Sequence, residues 1–122
     1  MKHKHTTHLY LYEGCSKHGC KIGVATARSL SGRLQFCRRR CGAAREFSRV
    51  WELANANAVE QVVIELLTSS GRTAPPGVEW FHVPREEMVD AVGFAIELLA
   101  RDHSRPRQYR TLGGFVSKAM ET

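Results

Sequence analysis

Four residues of this sequence carry side chains that together could hydrolyse a phosphodiester. Tyr10 and Lys21 stand in two short apolar runs near the N-terminus, Arg33 follows them, and Glu60 lies inside a later apolar segment. A tyrosine or a lysine can act as the base that activates water. Cations and a metal-bound carboxylate can offset the negative charge that develops on the phosphate oxygens. This combination of residue types therefore predicts phosphoryl chemistry.

Glu60 is the most informative of the four because its neighbours are apolar. It stands between Val59 and the run Val62-Val63-Ile64, so on a helix its side chain faces the core or the edge of a cleft. A partly buried carboxylate is costly unless it is paired or binds a metal. The alternative is a solvated acid near a helix N-terminus, where the macrodipole favours negative charge.

Tyr10 and Lys21 also allow two interpretations. Tyr10 shares a strand face with Tyr12, and strand tyrosines commonly serve packing. Lys21 has apolar neighbours, so desolvation would lower the pKa of its ammonium group and let it act as a base or hold a phenolate. A solvated lysine at a sheet edge is the alternative.

The elements that position these residues are predicted from periodicity. Leucine and tyrosine alternate over 8–13, which predicts a strand, and 20–25 predicts a second strand paired with it as a hairpin. A third strand is predicted over 46–53, and 79–83 is a short strand or extended segment. Apolar spacing predicts helices over about 31–41, 58–69 and 84–101, preceded by the start signals Ser29 or Ser31, Asn57 and Pro84. Residues 69–77 are expected to lack regular structure.

Length and composition predict one small folded domain. The 122 residues are 43% hydrophobic, which suits a single modest core and argues against disorder. We expect a flexible N-terminus over 1–7, a domain over 8–102 and a basic tail over 103–122. No apolar run approaches the roughly 18 residues of a membrane span, and the first residues lack the apolar stretch of a secretory signal. We therefore expect a cytoplasmic protein without membrane association.

The charge predicts an acidic partner, most simply nucleic acid. The net charge is +6, and between Arg28 and Arg49 seven arginines accompany one acid, Glu46. Arginine suits bidentate contacts with phosphate. We assign nucleic-acid binding to Arg28, Arg38, Arg39 and Arg40. The alternative is that the arginines only confer solubility.

Four cysteines raise the question of a metal. Cys15, Cys20, Cys37 and Cys41 have the spacing C-x4-C-x16-C-x3-C, which differs from the two-residue spacing of zinc knuckles. His18 lies between the first pair, so a hairpin turn and a helix could converge on structural zinc. The preferred interpretation is that Cys37 and Cys41 are small core residues. Disulfides are not expected in a reducing cytosol.

Five motifs occur in a specific order: Leu9-Tyr10-Leu11, Lys21-Ile22-Gly23, Gly32-Arg33-Leu34-Gln35, Glu60 and Glu79-Trp80-Phe81. Together they resemble the GIY-YIG nuclease superfamily over residues 8–100. The resemblance is closest to the phage-type branch, whose second tripeptide commonly reads Lys-Ile-Gly. Two positions depart from the superfamily pattern, because His8 stands in place of the first glycine and Lys21 in place of the second tyrosine.

The resemblance implies an α+β fold in which a small three-stranded antiparallel sheet is flanked by helices. It implies a metal-dependent DNA endonuclease with Tyr10 at the nucleophilic water, Lys21 in the position of a tyrosine and Arg33 beside the scissile phosphate. Glu60 would bind one Mg²⁺ or Mn²⁺. Whether Tyr10 or Lys21 is the base stays open. The rival interpretation is a non-catalytic module that keeps the fold and binds nucleic acid or protein.

Overall fold

The structure is a computed structural model that describes residues 7–16, 18–74 and 77–101. The predicted N-terminal segment, except Thr7, and the predicted basic tail lie outside these residues. The strands are β1 (His8–Glu13), β2 (Cys20–Ala25), β3 (Arg49–Glu52), β4 (Thr73–Ala74) and β5 (Gly77–Phe81). The helices are α1 (Leu30–Arg40), α2 (Ala56–Ser69) and α3 (Arg85–Arg101). None of these helices has both the length and the apolar character that a transmembrane span requires.

The strands form one antiparallel sheet in the order β3-β1-β2-β5-β4. The predicted α+β class with an antiparallel sheet and flanking helices is confirmed, but the predicted number of three strands is wrong. Four strands have four to six residues, and the two-residue β4 extends one edge. The difference arises because β5 pairs with the free edge of β2, with Lys21 opposite Trp80 and Cys20 opposite Phe81.

The hairpin of β1 and β2 is buried on both faces. Leu9 and Leu11 belong to a core cluster with residues of α2 and α3. Tyr10 and Tyr12 point to the other face, where Cys37 of α1 and Trp80 join their cluster. Because side chains alternate along a strand, the two apolar sets of β1 serve two separate layers.

Local signals place the helices within two residues of their predicted starts. Ser29 is the N-cap of α1, and its hydroxyl accepts a hydrogen bond from the Thr26 hydroxyl at 3.0 Å. The N-cap of α2 is Asn55 rather than the predicted Asn57. Helix α3 has Glu86 and Glu87 in its first turn, where the macrodipole favours acids.

Candidate functional site

Tyr10 and Lys21 meet on the face of the sheet that α1 covers. The β1–β2 register places Tyr10 opposite Gly23, and a Cβ atom at Gly23 would overlap the Tyr10 hydroxyl oxygen and Cζ. The Tyr10 side chain therefore lies across the backbone of Gly23, which needs to be a glycine for this reason. Lys21 Nζ lies 5.9 Å from the ring centroid of Tyr10 and 5.9 Å from that of Trp80. These distances suit cation–π attraction.

Lys21 is only 5% exposed. The alternative of a solvated edge lysine is therefore wrong, and the reason lies in the sheet. Strand β5 covers the edge of β2 that a three-stranded sheet would leave open, and it brings Trp80 opposite Lys21. Tyr10 is also buried and stacks on Phe47 with ring centroids 4.6 Å apart, so its ring contributes to packing.

Tyr12 shares the face of Tyr10, and its hydroxyl bonds to the segment after α1. The hydroxyl hydrogen bonds to the carbonyl oxygens of Cys41 at 3.0 Å and Ala44 at 2.6 Å, and it accepts one from the Ala44 backbone N–H at 3.2 Å. These contacts fix the segment after α1 against β1. Tyr12 is thus a structural residue whose polar group is fully occupied.

Glu60 is 5% exposed on α2, so the alternative of a solvated surface acid is also wrong. Within the described residues, Lys21 and Glu60 are the two charged side chains that are buried. Neither of them lacks an interaction partner. Helix α2, which carries Glu60, contacts both β1 and β2, but it packs with Leu9 and Leu11 on the face of the sheet opposite to Tyr10 and α1.

The predicted phosphate-binding residues are exposed. Arg33 and the other assigned arginines lie at the surface of α1 or just before it: Arg28, Arg38, Arg39 and Arg40. Burial therefore places Tyr10, Lys21 and Glu60 in the interior and Arg33 at the surface. Since α1 lies on the Tyr10 side of the sheet, its cations stand on the same side as Lys21.

The sequence prediction overlooked Phe36. Its side chain is 41% exposed, the Arg40 guanidinium carbon lies 5.5 Å from its ring centroid, and the two residues line a pocket of about 310 Å³ with Arg39. The signal was available in the sequence. Phe36 falls outside the inward face of α1 that Leu34 and Cys37 define, so an exposed aromatic among arginines follows from helical spacing.

The cysteines behave differently from the prediction in one respect. Cys37 and Cys41 are buried core residues, as predicted. Cys15 and Cys41 form a disulfide, so the expectation of no disulfide is wrong. The β1–β2 turn and the end of α1 bring their Cα atoms to 5.8 Å, within the range that a disulfide spans. Cys20 is a free thiol, and burial raises its pKa to about 11.

No protein-family model, curated protein or solved structure matches this chain.

Proposed function

We propose that this protein is a metal-dependent DNA endonuclease of the GIY-YIG type. The observation that carries the proposal is the burial of Lys21 and Glu60, since two charged side chains held in the interior at such cost are typical of a functional site. The contact of Lys21 with Tyr10 adds a hydroxyl that can handle a proton.

Each residue has a chemical task in this proposal. The Lys21 ammonium group, 5.9 Å from the Tyr10 ring centroid, stabilises Tyr10 as a phenolate, which orients the attacking water, accepts its proton and becomes the neutral phenol. Arg33 is exposed on α1 and binds the scissile phosphate, where its guanidinium group offsets the charge of the transition state.

The carboxylate of Glu60 fits a divalent cation of the hard type. Mg²⁺ accepts one or two carboxylate oxygens and keeps several waters, so a single glutamate is a sufficient protein ligand when phosphate oxygens complete the shell. When bound, the ion supplies Lewis acidity at the phosphate. Glu60 would fix the position of the ion, and its apolar neighbours on α2 limit the access of bulk water.

A plasmid-nicking assay tests the proposal. We expect the full chain to convert supercoiled plasmid to the open-circular form with Mg²⁺ or Mn²⁺ and not with excess EDTA. Arg33→Ala should lower the nicking rate by about 100-fold or more, because it removes a charge that stabilises the transition state. Arg101→Ala, which removes another exposed arginine from the end of α3, should leave the nicking rate unchanged. Equal losses in both variants would contradict the assigned role of Arg33.

The exposed arginines and Phe36 favour a second candidate, a non-catalytic nucleic-acid-binding module. A basic surface with an exposed aromatic ring can bind phosphates and stack on a base. This candidate predicts DNA binding that weakens with salt and no nicking with either metal. Nicking that requires Glu60 selects the endonuclease.

A further inference from the structure

A second cluster of reactive side chains lies outside the proposed nuclease residues. Cys15 and His18 stand in the turn between β1 and β2, and Cys41 is the C-cap of α1. One ligand atom from each, the two sulfurs and a ring nitrogen, lie within 4.8 Å of one another. A tetrahedral zinc ion with Zn–S of about 2.3 Å and Zn–N of about 2.0 Å requires ligand atoms roughly 3.5–4 Å apart. The three side chains therefore lie near one another, and reduction of the disulfide would let the two bonded sulfurs separate to this distance.

His18 supplies an independent indication of a ligand. Within the described part of the chain, its Nδ1 is the one buried side-chain nitrogen or oxygen that has no hydrogen-bond partner. Burying a polar atom without a partner is costly. The ring is held against Trp80, with centroids 5.6 Å apart, which limits its rotation toward other partners. A metal bound at Nδ1 would satisfy this nitrogen.

The turn holds the two ligands in a fixed shape. The backbone N–H groups of His18 and Gly19 both donate to the Cys15 carbonyl oxygen, at 3.1 and 2.8 Å. Gly19 has a φ of +75°, which a residue with a Cβ rarely adopts. A Cβ at Gly14 would lie 3.1 Å from the Cys41 sulfur and 2.9 Å from Trp80, so only glycine leaves room for that sulfur. The turn thus presents Cys15 and His18, three positions apart in the sequence, to Cys41.

We propose that the reduced protein binds one zinc ion through the sulfurs of Cys15 and Cys41 and Nδ1 of His18. Two thiolates and an imidazole are donors that zinc prefers. Binding releases the two thiol protons to solvent and transfers no electrons. No further Cys, His, Asp or Glu of the described residues belongs to the group, so the described residues supply three ligands and leave the fourth position open to water.

The disulfide and the zinc site are two states of the same sulfurs. A phosphine reductant converts the disulfide to two thiols, and the phosphine is oxidised to its oxide with oxygen from water. The reduced pair can then lose its protons to the metal. Zinc binding should in turn block the return to the disulfide, because both sulfurs are occupied.

Zinc titration of the phosphine-reduced full chain, in competition with a chromogenic chelator, tests the proposal. We expect one ion per chain. Cys15→Ser and His18→Gln, both at half-buried positions, should weaken zinc binding by at least about 100-fold. Such a loss is larger than the one usually seen when a residue that only contacts a metal ligand is changed. Cys20→Ala and His82→Gln remove a free thiol and an exposed imidazole and should keep wild-type affinity.

The absorption spectrum of bound Co²⁺ shows directly which side chains coordinate the metal. The reduced wild-type chain with Co²⁺ should show thiolate-to-metal charge transfer and tetrahedral d–d bands, and Cys15→Ser should weaken both. A circular dichroism spectrum of each variant checks that it is folded. If the reduced wild type binds no zinc and only reoxidises, or if folded His18→Gln binds zinc like the wild type, the proposal is wrong.

Discussion

The two tyrosines of β1 have different surroundings. Tyr12 is bonded to the backbone of Cys41 and Ala44, which follow α1. Tyr10 lies across Gly23 beside Lys21. The alternation of β1 predicts that both rings face one side, but only the contacts show that one hydroxyl is structural.

We predict that Tyr12→Phe lowers the free energy of unfolding by about 1–3 kcal/mol, because carbonyl and amide groups of the segment after α1 lose their partner. Urea unfolding measures this change. The nicking rate should stay near that of the wild type at a temperature where the variant is folded, whereas Tyr10→Phe should lose nicking. A Tyr12→Phe variant as stable as the wild type would show that these hydrogen bonds contribute little.

Because of the buried Cys20 thiol, the free energy of unfolding should decrease at alkaline pH. Burial, with a contribution from Glu13, raises the pKa of this thiol from 9.0 to about 11. The folded state therefore favours the neutral thiol. The resulting stability is complete below pH 9.0 and is lost as the pH rises through about 11.

We predict that the free energy of unfolding of the wild type decreases over this alkaline range by on the order of 2 kcal/mol more than that of Cys20→Ala. Urea unfolding at several pH values measures the difference, and the alanine variant corrects for the tyrosines and lysines that titrate in the same range. If the free energies of unfolding of the wild type and Cys20→Ala changed with pH in parallel, the raised pKa of Cys20 would be contradicted.

At the scale of elements, the sequence predicted the hairpin with its residue bounds because β1 and β2 have short, clearly alternating or apolar patterns between glycine-containing turns. It did not predict that β5 joins β2. Pairing between segments more than fifty residues apart leaves no local pattern, and β5 follows a proline-rich stretch.

In the candidate site, too, local sequence features were predictable and long-range contacts were not. The residue types at Tyr10, Lys21, Arg33 and Glu60 could be selected from their order along the chain. The burial of Lys21 could not, because it depends on Trp80 of β5. The Cys15–Cys41 disulfide was likewise not predictable, since it requires the end of α1 to meet the hairpin turn in space.

An ion pair connects the segment after α2 with the start of α3. Arg72 donates two hydrogen bonds to Glu87, from Nη1 to Oε2 at 2.8 Å and from Nη2 to Oε1 at 2.9 Å. This fork geometry is the strong form of an ion pair. The hydrogen bonds from Arg72 lower the pKa of the Glu87 carboxyl group.

We predict that Glu87→Gln lowers the free energy of unfolding by about 1 kcal/mol at neutral pH, since the pair is partly exposed and screened. The pair's contribution is present above the ordinary carboxyl pKa and is lost as the pH falls through the lowered one. Chemical unfolding at neutral and acid pH should therefore show a difference between wild type and variant that shrinks in acid. Asp90→Asn, at an exposed position of α3, is the control.

At the scale of the whole molecule, the protein carries a net charge of +6. Among the described residues, Arg39 and Arg40 of α1 line a pocket together with the exposed ring of Phe36. This arrangement combines long-range attraction for phosphate with a surface on which a base can stack.

We predict that Phe36→Ala weakens binding to single-stranded DNA by about 5- to 100-fold, as expected for the loss of one stacked base. Fluorescence anisotropy at several salt concentrations measures it. The slope of affinity against salt should stay the same for Phe36→Ala and become shallower for Arg39→Ala, which removes a phosphate contact. An unchanged affinity of Phe36→Ala would exclude stacking at this surface.

The central claim is that the buried carboxylate of Glu60 binds the metal that supports cleavage. The most direct test compares Mg²⁺-dependent plasmid nicking by the wild type, by Glu60→Gln and by Glu65→Gln, which changes an exposed glutamate of the same helix. We predict that the wild type and Glu65→Gln nick the plasmid, and that folded Glu60→Gln binds DNA but does not cut it. Full cleavage by Glu60→Gln, or no cleavage by the wild type with Mg²⁺ or Mn²⁺, would contradict the account.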